Sequence, residues 1–334
     1  MSQSSDSDRL QEALPPLAKS RLESLRLSGG VASLVLDVAG LDRSGRERLE
    51  AAVRESLTQQ PGVSEVRVAM TAERGGATAG GGGRPRIVAV GSGKGGVGKS
   101  TLSANLAVAL SRAGRRVGLV DADIYGPSLP RLLGNEGKRP EARGAKLVPV
   151  PSPWGVPVLS MGHLIEPGRA IAWRGPMAGK ALTQLIDAEW DGTDLLIVDL
   201  PPGTGDVQLT MMQRFKPAGA VIVSTPQDLA LMDATRAIQL FEQAEIPVIG
   251  LVENMAGYVC PHCGELSDPF GHGGVEAAAG VMGQAFLGRI PLHLAIRQDS
   301  DAGKPPAAGD GPQAEAFAAI ARRVGTWLDE SLTK

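Results

Sequence analysis

Apolar residues recur along this chain in two rhythms, separated by a stretch that has none. Before residue 71 the spacing predicts a helix over Ala13–Leu27, a strand over Val31–Val38, a helix over Arg43–Leu57 and a strand over Val63–Met70. These elements make a small α+β domain, residues 1–70, near the size at which a lone core becomes marginal. Between Thr71 and Pro85 the run Gly-Gly-Ala-Thr-Ala-Gly-Gly-Gly-Gly carries no periodic pattern, so 71–85 is expected to be a flexible linker. Beyond it, short runs rich in Val, Ile and Leu recur at Ile87–Val90, Val117–Val120, Val156–Leu159, Leu195–Val198, Ala220–Val223 and Val248–Val252. Longer segments of helical period separate them; Ala234, Ala237, Ile238 and Phe241 fall at i, i+3, i+4 and i+7. Fully apolar strands alternating with amphipathic helices predict an α/β domain over 86–334, its mostly parallel sheet covered by helices on both faces.

Composition narrows the function classes. With 34 Lys+Arg against 36 Asp+Glu, the formal charge is -2, which gives no footprint for nucleic acid. Five Phe, four Trp and two Tyr are too few for ring stacking to dominate recognition. Both cysteines lie in Cys260-Pro261-His262-Cys263, which excludes a disulfide-stapled scaffold. The first residues lack a basic and an apolar signal region, and no apolar run reaches membrane-spanning length. A cytoplasmic protein without membrane or nucleic-acid partners is the expectation.

Gly93-Lys94-Gly95-Gly96-Val97-Gly98-Lys99-Ser100 satisfies G-x-x-x-x-G-K-[ST] between a strand and a helix expected to run to about Arg112. Glycines let backbone N–H groups turn inward on phosphate oxygens, and the helix N-terminus adds partial positive charge. Lys99 is positioned to reach the β/γ-phosphates of ATP and the Ser100 hydroxyl to ligate Mg²⁺, with Thr101 next in the first turn. Lys94 is an extra cation that serves charge neutralisation or is simply a solvated loop lysine. Asp121 and Asp123 close one strand and Asp199 another, at the sheet edge where α/β folds bind ligands. Pro201-Pro202-Gly203-Thr204-Gly205-Asp206 follows Asp199 as a turn able to move when the γ-phosphate leaves.

The loop K-G-G-x-G-K-[ST] resembles that of the deviant Walker A ATPases, which include the nitrogenase iron protein and the division-site and partition ATPases. Asp121–Ser128, Asp199–Asp206, Thr225-Pro226-Gln227-Asp228, and Glu253-Asn254-Met255 running into Cys260–Gly264 are similar to one branch, the Mrp/ApbC iron–sulfur cluster carriers. The resemblance spans roughly 86–320. The segment that usually bears a cysteine in the preceding domain falls near Ala39–Asp42, where none exists. The resemblance implies that Lys94 contacts nucleotide in the other subunit and that Asp123 orients the attacking water. It implies Asp121 near the Mg²⁺ shell, Asp199 as the Walker B carboxylate and Asn254 on the adenine.

Cys260 and Cys263 supply two thiolates, whereas a 4Fe–4S cluster or a structural Zn²⁺ takes four ligands. Two chains about a two-fold axis complete the set, which predicts a homodimer bridged by a cluster and agrees with the resemblance. Zinc held with His262 or His272, a thiol–disulfide motif, and inert buried thiols are the other readings. His163 and His293 carry no assigned role; Met211, Met212 and Met232 are expected to fill core. The leading expectation is an ATP-hydrolysing carrier that delivers a cluster to apo-proteins. The alternatives are a positioning or partition ATPase and a zinc- or redox-regulated ATPase.

Overall fold

The computed structural model describes residues 9–38, 43–71, 84–164, 175–260 and 262–332. The chain divides into two compact units, Met1–Gly83 and Arg84–Lys334. The expected linker falls largely on 72–83, and the position lacking a cysteine on 39–42; both lie outside the described residues.

In the first unit β1 (Leu22–Ser28) pairs antiparallel with β2 (Val31–Asp37), and β2 pairs in parallel with β3 (Glu65–Thr71) through the helix Arg43–Thr58. Leu34, Leu36, Leu49, Val53, Leu57 and Val66 are buried together as its core. The helix expected over Ala13–Leu27 is corrected: helical structure stops at Lys19, and Leu22 opens a strand. Gly29 and Gly30, at φ 56° and 82°, make the two-residue turn that pairs Ser28 with Val31. A register shift between Leu22 and Ser24 lets Leu22, Leu25 and Leu27 all meet the core despite their odd spacing.

The second unit is built on a sheet in the order β12-β11-β10-β4-β9-β5-β8, with β13 also beside β11. Its strands are β4 (Arg86–Gly91), β5 (Val117–Asp121), β8 (Val158–Ser160), β9 (Leu195–Asp199), β10 (Gly219–Ser224), β11 (Val248–Val259), β12 (Leu266–Ser267) and β13 (Phe286–Leu292); β6 (Glu141–Arg143) and β7 (Lys146–Val148) form a separate hairpin. Every strand pairing in this sheet is parallel except β11 with β12. Successive β4 residues feed opposite faces: Val88 and Val90 join a core with Leu102, Leu106 and Phe317, while Ile87 and Ala89 join Leu182, Ile238 and Phe241. Helices therefore cover both faces, as the continuous apolar strands require. Met211 and Met212 are core residues as expected, but Met232 is 58% exposed, on the outer side of the helix Asp228–Gln243. No helix among the described residues is long and apolar enough to cross a membrane.

Candidate functional site

Strand order puts the carboxyl ends of β4, β9 and β5 side by side. Val90 pairs with Asp199, and Asp199 with Asp121, so the loop after β4 opens next to both carboxylates. Ser92 Oγ donates to the Lys94 carbonyl (2.9 Å), tightening the head of the loop. Gly96 and Gly98 hold φ of 79° and 85°, which only glycine adopts without strain. The helix Lys99–Arg112 then starts without a side-chain cap, leaving the N–H groups of its first turn, Ser100 and Thr101 included, without intrahelical acceptors. That is a ready anion site.

Two carboxylates meet one ammonium, and Asp121 lies beside Asp199 in the neighbouring strand. Lys99 Nζ lies 2.8 Å from Asp199 Oδ2 and 3.8 Å from Asp123 Oδ2, with Lys99 and Asp199 both buried. Ser100 Oγ donates to Asp199 Oδ2 (2.6 Å) and Ser103 Oγ to Asp199 Oδ1 (2.7 Å). Asp121 accepts from the Leu129 N–H (3.1 Å), Ser160 Oγ (3.0 Å) and the Asp123 N–H (3.1 Å). Burial first, then the neighbouring Asp199, pushes its carboxyl up to about 7. Asp123 accepts from the N–H groups of Tyr125 (3.0 Å) and Gly126 (3.3 Å), which turn its free edge toward Lys99. The oxygens here, a serine hydroxyl and carboxylates, are hard donors of the kind that divalent cations take alongside water and phosphate.

The turn after Asp199 is tied to this crevice. The Gly203 N–H donates to the Ser92 carbonyl (3.1 Å), and the Leu200 N–H to the Val90 carbonyl (3.1 Å). Gln208, buried on the following helix, donates to the Pro201 (2.6 Å) and Gly203 (2.8 Å) carbonyls and accepts from the Gly205 N–H (2.8 Å). One side chain thus sets the shape of the turn.

The loop is also held from the β10 and β11 side. Gly93 lies so close to the Asp233 backbone that a Cβ there would sit 2.1 Å from its carbonyl carbon. Lys94 Nζ meets Gln227 Oε1 at 3.3 Å. Asn254, expected at the adenine, is buried and donates its amide to the Val97 carbonyl (2.8 Å).

The two cysteines sit at the end of β11, where Tyr258 pairs with Ser267 and Val259 with Leu266. The Cys260 N–H donates to the Glu265 carbonyl and the Gly264 N–H to the Cys260 carbonyl, both 2.9 Å, with Gly264 at φ 74°. Both thiols are free, Cys260 half-buried and Cys263 exposed. The Cys263 N–H, then the His262 N–H and the Cys263 thiol, hold the Cys260 thiol below its ordinary range. Because thiolate is the metal-binding form, this turn favours soft-metal ligation. Among the described residues no three His, Cys, Asp or Glu side chains gather to hold a metal ion; the turn brings the two free thiols together.

Sequence reasoning missed Ser103, Ser160 and Gln208. Ser103 was findable, since it lies one helical turn from Lys99 and Ser100; Ser160 carried no local signal. The unassigned histidines are structural: His163 Nδ1 accepts from the Ser160 N–H (3.2 Å), and His293 Nδ1 from the Ala295 N–H (3.1 Å) at a helix start. Burial depresses His163 to about 4.

The family model described as "ParA: NUBPL iron-transfer P-loop NTPase" matches residues 84–325. A Haemophilus influenzae protein named "Iron-sulfur cluster carrier protein" is 40% identical over 315 residues, covering 92% of this chain and 85% of its own. A Deinococcus radiodurans protein of the same name is 44% identical over 310 residues, covering 91% and 87%. Among solved structures, a nucleotide-binding protein in complex with ADP from Archaeoglobus fulgidus matches with a TM-score of 0.61 at 40% identity, over 70% of this chain and 91% of that one.

Proposed function

Since the chain belongs to the iron-transfer P-loop NTPase family, we propose that it is an ATP-dependent iron–sulfur cluster carrier whose two thiols hold half of a 4Fe–4S cargo shared with a second copy. The observation that carries this reading is the free thiol pair at the end of β11, the same strand whose Asn254 touches the phosphate loop. Nucleotide phosphates bind the loop N–H groups, and Lys99 exchanges its Asp199 partner for phosphate oxygen. Ser100, Asp121 and Asp199 would hold Mg²⁺, which would supply charge neutralisation to the nucleotide phosphates. Asp123 orients the attacking water, and Lys94 neutralises charge in the partner's site. After phosphate loss the turn held by Gln208 shifts and alters the dimer face on which the cluster sits. Apo iron–sulfur proteins are the recipients. A positioning ATPase has no use for this thiol pair, which sets that alternative aside.

The test is anaerobic reconstitution of wild type and a Cys260→Ser/Cys263→Ser variant with ferrous iron and sulfide. Wild type gains visible absorbance and iron on a dimer, and passes the cluster to an apo-ferredoxin. A double variant that keeps iron overturns the reading.

A further inference from the structure

Building on that reading, we infer that Asn254 is a positioning residue that transmits the state of the phosphate loop to the thiol pair along β11. Its amide bonds the carbonyl of the Val97–Gly98 peptide. In a trans peptide the C=O and the next N–H point to opposite sides, so Gly98 presents its N–H away from Asn254. One rigid unit therefore has Asn254 on its oxygen side and a free donor on its nitrogen side. An anion taking that N–H polarises the carbonyl and strengthens the Asn254 bond. The approach is built in: a Cβ on Gly98 would stand 2.0 Å from Asn254 Nδ2.

On either side of Asn254 the strand is treated differently. Glu253 is fully buried and accepts from the Gly273 N–H (3.2 Å), the Val275 N–H (2.9 Å) and Arg289 Nε (2.9 Å), which fixes the upstream end. Downstream, Met255 holds φ 60° and Gly257 φ 72°, and the register with β13 breaks between Asn254 and Tyr258. A non-glycine residue in the left-handed region is strained, and such strain gathers at segments that switch. Beyond the break, Tyr258 and Val259 pair with Ser267 and Leu266, and Cys260 and Cys263 fall between the two paired segments. A fixed anchor, a loop-sensing amide, a strained joint and a paired arm thus follow one another from Glu253 along β11 and into the hairpin beyond it.

The readout is the alkylation rate of Cys260 and Cys263 in metal-free protein, without nucleotide and with saturating MgADP or a non-hydrolysable MgATP analogue, bound nucleotide being measured in parallel. Wild type changes its rate at least threefold on binding nucleotide. Asn254→Asp, which keeps shape but loses the donor, abolishes the change at full occupancy. Met255→Gly, which relaxes the joint, reduces it while leaving nucleotide affinity near wild type. A wild type that does not respond, or two nucleotide-bound variants that respond as wild type does, overturns the inference. The assay contains no iron, so its failure is distinguishable from failure of the carrier reading.

Discussion

The phosphate crevice and the thiol hairpin lie on one domain but are built by opposite rules. In the crevice, Lys99, Asp121 and Asp199 are buried and bonded to one another or to serine hydroxyls and backbone, across three neighbouring strands. At the hairpin, two thiols are held by a two-residue strand and a pair of backbone bonds, with half of a ligand set exposed. Under the proposed reading, the crevice makes chemistry and the hairpin hands something on. A pre-organised crevice stabilises charge that develops within it. A cargo that must leave needs partners that are few, exposed and shared.

If the division is right, damage on one side spares the other. Lys99→Ala removes the buried ammonium of the crevice, and ATP hydrolysis is expected to fall on the order of a thousandfold. Iron loading on the thiols in vitro should stay intact; a parallel phosphate-release and iron assay checks both, and loss of iron loading would collapse the distinction. Gly98→Ala comes next, because it strains a left-handed residue and collides with the Asn254 amide. A stability loss of about 2 kcal/mol in denaturant titration is expected, with nucleotide affinity lowered more than tenfold. A variant as stable as wild type would show that Asn254 moves freely.

A smaller effect sharpens the same contrast through pH. His163 is buried behind Ser160, on the crevice side, and its folded value of about 4 lies below the ordinary 6.5. The unfolded chain takes up the proton from 6.5 downward, and the native chain only near 4. Its contribution is therefore complete above pH 6.5 and is lost as pH falls toward 4, on the order of 2 kcal/mol. Urea titrations at pH 7.5 and 5 should show this slope, flattened in His163→Gln; equal slopes would place the acid lability elsewhere.

What was legible in the sequence follows the same physics. The loop 93–100, Asp121 and Asp199 were readable because the chemistry is local: a strand, a glycine turn and a helix start in one run. Ser160 was not, since its bond to Asp121 spans 39 residues and needs β8 beside β5. β13 was missed because Gly288 and Pro291 interrupt its apolar run, which a strand bonded only to β11 tolerates. In the first unit, Leu22, Leu25 and Leu27 imitate a helical face; the Gly29-Gly30 turn was the stronger signal, and it makes a hairpin. The Cys pair was legible as two thiols in one short turn, but its place at the end of the strand that carries Asn254 was not.

We propose that the two thiols of one chain hold half of a shared cargo. Iron and sulfide per chain, measured with molar mass on anaerobically reconstituted protein, tests it most directly. One cluster per two chains in a dimer, absent from Cys260→Ser/Cys263→Ser, is the predicted result. A full cluster on a monomer, or iron retained by the double variant, would contradict it.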